Sequence, residues 1–381
     1  MGGGKIHDPD FDVIVIGDGV VGISVGYYCS ASGLSTAVVE KHEKLCEEAS
    51  THNSGVLHSG FNPELGTLKA AMNQRGIKVM YEKADAWKFA IKKVGTLVVA
   101  RTESESKKLK EMKKAGETNG VSGMRLLMKD EIGTVEPHLD EVHSGLYSPE
   151  GGVIDIMEYI ARLTSRANQA GTIITPSNEV LNMRANNDSI LLSLSTGETV
   201  SAKVVVNSAG LNAGFVAGML ESHYSIYPCV GEYAYVVGEK AKLINGMVYP
   251  VVVETDYPGL GIHLTKTING EFQVGPTAVY ADKMNPLTWR RTELNDFYKA
   301  VKRFLPDVQL EDMREGWFGV RAKTVGPASD RGFGDFIVEW DKNKFPVIHL
   351  VGIESPGFTA SLAIGEHVAA MISKKIEIKG V

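Results

Sequence analysis

FDVIVIGDGVVG, residues 11–22, is a run of apolar, largely β-branched residues that breaks into the pattern Gly17-x-Gly19-x-x-Gly22. Apolar residues continue at helical spacing through YYCSAS, so the segment reads as strand, tight turn, helix. The glycine spacing has a physical purpose. Gly17 permits the turn, Gly19 lets backbone approach a pyrophosphate, and Gly22 lets helix and strand pack closely. Phosphates then meet the free N–H groups at the helix start, Val20 and Val21, and its positive end. After Gly33 a second strand, TAVVE, ends at Glu40, 18 residues beyond Gly22. That is the place from which a carboxylate, with Lys41 beside it, accepts hydrogen bonds from an adenosine ribose.

Two later segments repeat the strand-to-turn design. KVVVNSAGLNAG (203–214) carries a buried strand, Val204 to Val206, opening into Asn207-Ser208-Ala209-Gly210. Near the C-terminus, PVIHLVGIESPGFTASLAIGEH reads as a strand from Val347 to Ile353 that includes Gly352, then a loop from Glu354 to Ser361. A helix through Met371 follows, starting close to Thr359 or Ala360. These junctions can share one sheet edge, where ligands of open α/β sheets bind. Three separated segments around one long ligand suit FAD better than a nicotinamide cofactor. The N–H groups and dipole of the last helix, behind Pro356, Gly357 and Phe358, would stabilise the anion of a reduced flavin. The alternative is a plain turn before a capped helix.

The chain has 381 residues, enough for two domains or for one large domain with a second inserted in it. Its hydrophobic fraction of 43% and charged fraction of 23% are those of a globular protein. A net charge of −6 lacks the basic footprint of a nucleic-acid binder. The three cysteines, Cys29, Cys46 and Cys229, have no C-x-x-C spacing, which argues against a disulfide framework and against a metal site. No signal core and no apolar run of transmembrane length occur. The expectation is a soluble, non-secreted protein of the cytoplasm or an organellar matrix, with peripheral membrane contact left open.

Residues 63–93 are helical in pattern, GTLVVA (95–100) is a strand, and ESESKKLKEMKKAGETNG is a charged, solvated helix. DIMEYIARLTSRANQAG (155–171) is an amphipathic helix, and from 215 to 320 short alternating runs predict an antiparallel sheet. The fold class is α/β in two domains: a Rossmann-like FAD-binding domain with an inserted antiparallel-sheet substrate domain. The FAD domain is assigned 1–80, 151–214 and 321–381, and the substrate domain 81–150 and 215–320.

HNSGVLHSGF (52–61) follows the ribose-binding strand and should lie along the cofactor. Thr51, Asn53, Ser54 and Gly55 offer donors to phosphate or ring. His58 is a candidate base beside the reacting carbon, since alcohol oxidation by hydride transfer requires loss of the hydroxyl proton. The other reading is a histidine that bonds only backbone.

GDGVVG, NSGVLHSGFNPELGTLKA, NSAGLNA, YPVVVETDYPGLGIHLT and GIESPGFTASLAI together resemble the D-amino-acid-oxidase superfamily. Within it they are similar to FAD-dependent L-2-hydroxyglutarate dehydrogenases, with flavin-linked glycerol-3-phosphate oxidases and dehydrogenases as near relatives. The resemblance runs from about residue 11 to 373. It implies that His58 is the catalytic base, that Arg321 of GVRAK binds the substrate's anionic group, and that Ser355 of ESPG lies beside the flavin. A guanidinium also grips a carboxylate or phosphate bidentately on chemical grounds alone. Many relatives carry an arginine before G-E-Y, where this chain has Val230; Lys266 is a candidate to replace that charge, with a solvated strand residue as the equal alternative.

The leading expectation is oxidation of a small anionic 2-hydroxy acid, L-2-hydroxyglutarate to 2-oxoglutarate, with electrons passing to a quinone, oxygen or another acceptor. Glycerol-3-phosphate oxidation is the alternative. A flavoprotein of RNA modification is disfavoured by the acidic balance.

Overall fold

The computed structural model describes residues 8–186, 189–252, 261–282, 285, 287–327 and 333–379. The first segment folds as its spacing predicts, with strand Phe11–Ile16 followed by helix α1 (Val20–Ala31). That strand pairs in parallel with Thr36–Val39 on one side and Thr199–Asn207 on the other. Ile173–Thr175 extends the sheet beyond Thr36–Val39, and Val347–Val351 runs parallel to the end of Thr199–Asn207. Val180–Ala185, Ile190–Leu194 and Ile337–Trp340 add antiparallel strands to complete this eight-stranded sheet. The three strand ends singled out in the sequence therefore lie side by side, at Gly17, Ser208 and Gly352.

Four helices and the sheet enclose the apolar interior of this half. They are α1, α2 (Leu68–Trp87), the amphipathic α5 (Ile156–Gln169) and α8 (Gly357–Lys379). Helix α2 is shorter than the 63–93 pattern. Thr67 caps its start by accepting from the Ala70 N–H, and Lys88 ends it in a left-handed conformation with φ of 62°. Ile91–Lys93 is instead a strand, in a three-stranded sheet with Gly152–Ile154 and Val56–Leu57. Helix α8 starts at Gly357, earlier than expected. The boundary drawn at 80/81 falls inside α2, and that at 320/321 inside the strand Met313–Lys323.

The second half is a nine-stranded sheet whose order runs Val279–Tyr280, Tyr227–Val236, Phe272–Val274, Leu264–Lys266, Met247–Pro250, Thr96–Ala100, Ser144–Ser148, Arg125–Met128. Met313–Lys323 pairs with Tyr227–Val236. The pairs are antiparallel except where Met247–Pro250 meets Thr96–Ala100. That parallel junction joins strands from two separate stretches of chain, which no hairpin links. The charged segment forms α3 (Glu103–Thr118), which buries only Leu109 and Gly116, in keeping with a solvated face.

Strand alternation divides the two faces of this sheet. Val248, Leu264, Phe272 and Val274 pack with Phe297 and Val301 of a helix the sequence reading missed, Leu294–Lys302. Tyr249, His263, Thr265 and Gln273, their neighbours in sequence, take the opposite face and are buried as well. Part of the YPVVVETDYPGLGIHLT motif, residues 253–260, lies outside the described residues. Among the described residues no helix is long and apolar enough to cross a membrane.

Candidate active site and cofactor crevice

A cavity of about 430 Å³ opens at the strand ends of the first sheet. Gly17, Gly19, Val21, Glu40, Lys41, Ala209 and Gly210, all expected at a dinucleotide, line it. The cradle is cut to exclude side chains: a Cβ on Gly22 would lie 1.9 Å from the Gly17 carbonyl oxygen, and one on Gly17 would lie 2.6 Å from that of Ser208. The Val20 N–H donates to Ser50 Oγ at 3.0 Å. Glu40 accepts from the backbone N–H groups of Asp18 and His42 at 3.1 and 2.9 Å, which fixes its carboxylate at the cavity wall. Burial, with the Glu40 charge close by, pushes the Asp18 carboxyl up to about 7. Glycines, helix N-terminus and ribose-side acid together fit a dinucleotide such as FAD.

The remaining expected cofactor residues lie further along. Thr51 Oγ1 donates to the Cys46 carbonyl at 2.8 Å. Asn53 closes its own loop, donating to the Ser50 carbonyl and accepting from the Gly55 N–H. Ser54 sits beside the Tyr233 hydroxyl. Gly352 has φ of 70°, and the Ser355–Pro356 bond further along the same loop is cis. Thr359 Oγ1 accepts from the His58 N–H at 3.1 Å, tying the start of α8 to the 52–61 loop. Phe358 turns its ring into the core against Tyr159, 5.4 Å between centroids.

His58 and Ser355, 297 positions apart, meet with 3.1 Å between Nε2 and Oγ. Asn73 on α2 anchors the His58 carbonyl at 2.9 Å. Burial pushes the His58 imidazole down to about 4, so the ring is neutral near pH 7. Arg321 reaches across from its strand to lie over Gly231, where a Cβ would come within 2.8 Å of the guanidinium. It donates to the Thr277 carbonyl at 3.1 Å, and among the described residues no carboxylate forms an ion pair with it. Val230, the departure from the family pattern, is fully buried between the neighbouring strands. Lys266 does not replace the missing charge: it bonds the Ala241 carbonyl and feels Glu136 and Lys242, away from Arg321.

Several groups at the site went unnoticed in the sequence. His263 is 4% exposed and stacks on Tyr249, 4.0 Å between centroids with planes 15° apart. Burial pushes it down to about 3, and His58 and Arg321 both act in the same direction, so His263 lies within electrostatic reach of each. Its Nδ1 donates to the Gly261 carbonyl at 3.1 Å. Tyr233 stands by Arg321 and packs against Trp317, with ring centroids 4.1 Å apart and planes tilted by 31°. Under the ESPG loop, Glu354 is held by two buried lysines, Lys69 at 3.2 Å and Lys323 at 3.5 Å. For Tyr249 and Tyr233 the signal was strand alternation, which marks a face and not a function, and Lys69 and Glu354, on a helix and in a loop, lacked even that.

The family model described as "FAD dependent oxidoreductase" matches residues 12–371. The chain belongs to the FAD-dependent oxidoreductase family. Its cofactor is FAD, and the protein is an oxidoreductase. Mitochondrial L-2-hydroxyglutarate dehydrogenase of Arabidopsis thaliana is 30% identical over 413 residues, covering 94% of this chain and 82% of the relative. Glycerol 3-phosphate dehydrogenase of Caloramator mitchellensis is 29% identical over 374 residues, covering 97% and 76%. The dithionite-reduced, FAD-bound L-α-glycerophosphate oxidase of Mycoplasma pneumoniae superposes with a TM-score of 0.84 at 28% identity, covering 95% of this chain and 94% of that one.

Proposed function

We propose that this enzyme oxidises the CH–OH group of a small anionic 2-hydroxy acid, L-2-hydroxyglutarate in the first place, to the 2-oxo acid. The observation that carries the reading is a neutral imidazole, His58, and a guanidinium, Arg321, that has no carboxylate partner among the described residues, both within electrostatic reach of His263. Arg321 binds a substrate carboxylate bidentately and thereby orients the carbon that bears the hydroxyl. His58 Nε2, bridged to Ser355 Oγ, receives the hydroxyl proton as the carbonyl forms. FAD, when bound, supplies a two-electron oxidant that accepts the hydride from that carbon. The electrons then pass to a quinone, oxygen or another acceptor.

In this reading the eight-stranded sheet and its helices hold FAD and the nine-stranded sheet covers the substrate. The contacts of Lys69 and Lys323 with Glu354 fix the ESPG loop from beneath. The three buried thiols fit a reducing compartment, cytoplasm or organellar matrix. The test is turnover with an artificial electron acceptor, with product identified as 2-oxoglutarate. Absence of that product alongside brisk formation of dihydroxyacetone phosphate from glycerol 3-phosphate would replace the reading with its alternative. That alternative is favoured by the similar identity of the Caloramator relative and by the Mycoplasma structure, and it uses the same base with Arg321 on phosphate.

A further inference from the structure

A buried hydroxyl without a partner costs about 1–3 kcal/mol, so each one in a folded protein calls for an explanation. Tyr249 is such a case. It is 3% exposed, and its hydroxyl has no hydrogen-bond partner among the described residues. It belongs to the polar face of the nine-stranded sheet, together with Thr265 and Gln273, whose side-chain oxygens are orphaned in the same way. The ring is held firmly: His263 stacks on it in near-parallel planes, and the Gly261 carbonyl fixes the His263 ring in turn. A rigid, buried, unpaired donor inside a substrate face points to a ligand rather than to a structural bond.

Its place relative to Arg321 defines the ligand. Between their strands the order is Met313–Lys323, Tyr227–Val236, Phe272–Val274, Leu264–Lys266, Met247–Pro250. Each step is about 4.8 Å, so the strands of the two residues stand four steps apart, with Tyr233 beside Arg321 and His263 stacked on Tyr249 in the space between. Arg321 can neutralise one anionic group. A second polar group one small-molecule length away then meets the Tyr249 hydroxyl. A single neutral donor suits a singly charged carboxylate better than a doubly charged phosphate, which draws on cations.

We propose that Tyr249 is a substrate contact whose hydroxyl donates to the distal carboxylate of a hydroxy diacid, while Arg321 holds the carboxylate next to the reacting carbon, so that the pair measures substrate length. His263 is a positioning residue that fixes the Tyr249 ring. The proposal rests on the hydroxy-acid reading above and extends it from a class to a chain length.

The experiment uses the FAD-loaded enzyme and its Tyr249→Phe variant. Glutarate and butyrate, one a diacid and one a monoacid, are titrated while the flavin spectrum is followed, and L-2-hydroxyglutarate kinetics are measured in parallel. Tyr249→Phe is expected to lower the preference for glutarate over butyrate about 10–100-fold and to raise KM for L-2-hydroxyglutarate by a similar factor, with kcat moving much less. The Tm of the variant should hold or rise, because an unpaired buried hydroxyl has been removed. Equal weakening of both acids, an unchanged preference, or a Tm drop of several degrees would each overturn the proposal alone. Wild-type enzyme that neither binds glutarate nor oxidises L-2-hydroxyglutarate would overturn both the proposal and the reading on which it rests.

Discussion

The cofactor crevice and the substrate face are built on opposite principles. The crevice is made chiefly of backbone: a Cβ-free turn at Gly17, a helix packed so closely at Gly22 that a Cβ would lie 1.9 Å from the Gly17 carbonyl oxygen, and strand ends at Ser208 and Gly352. The proposed substrate face is made of side chains from well-separated stretches of chain, with Tyr249, His263, Tyr233 and Arg321 brought together only by sheet order. Backbone recognition writes itself into short local motifs. Side-chain recognition across a sheet leaves only alternation.

The two regions should therefore fail differently. Gly22→Val should abolish FAD retention, since its side chain has nowhere to go except into the Gly17 carbonyl, and the purified protein should be colourless. A yellow Gly22→Val protein would break the contrast. His58→Ala, on the other side, should keep FAD and lose about 10²–10⁴-fold in the rate of flavin reduction by substrate. Arg321→Met should also stay yellow, with kcat/KM falling about 100-fold or more, and Arg321→Lys should recover only part of that because a point charge replaces a planar fork. Loss of FAD from either variant would show that the regions are less separable than drawn.

The smallest effect is on pH. The low His58 value of about 4 places loss of the base form at acid pH, so the reduction rate should be flat from neutral down to mildly acid conditions and fall as the pH approaches 4. The same depression bears on stability. Above the ordinary histidine value of about 6.5 both folded and unfolded chains hold the ring neutral. Below it the unfolded chain binds the proton first, so apoprotein stability should decline as the pH falls from about 6.5 toward 4 for His58, and further, toward about 3, for His263. A Tm that rises with acidification over that window would contradict the neutral state of both rings.

Much of the crevice was legible because the helix start, the turn and the ribose-side acid all fall within residues 11–40. Ends of elements were less so: Thr67 and Lys88 trimmed α2 through capping and a left-handed residue, neither of which apolar spacing records. His58 stood out as a candidate base because it sits in a small-residue loop, whereas Tyr249 sits in a strand and His263 just before one, within runs whose alternation marks only a sheet. Lys266 shows the converse error, a charge near the right motif that side-chain direction sends elsewhere.

The central claim is that this face accepts a hydroxy diacid in line with the cofactor. It is tested most directly by mixing the yellow enzyme anaerobically with L-2-hydroxyglutarate and, separately, with glycerol 3-phosphate, and recording the oxidised-flavin band. Rapid bleaching by the hydroxy acid and none by the phosphate ester is the predicted result. Bleaching by the phosphate ester alone would contradict it.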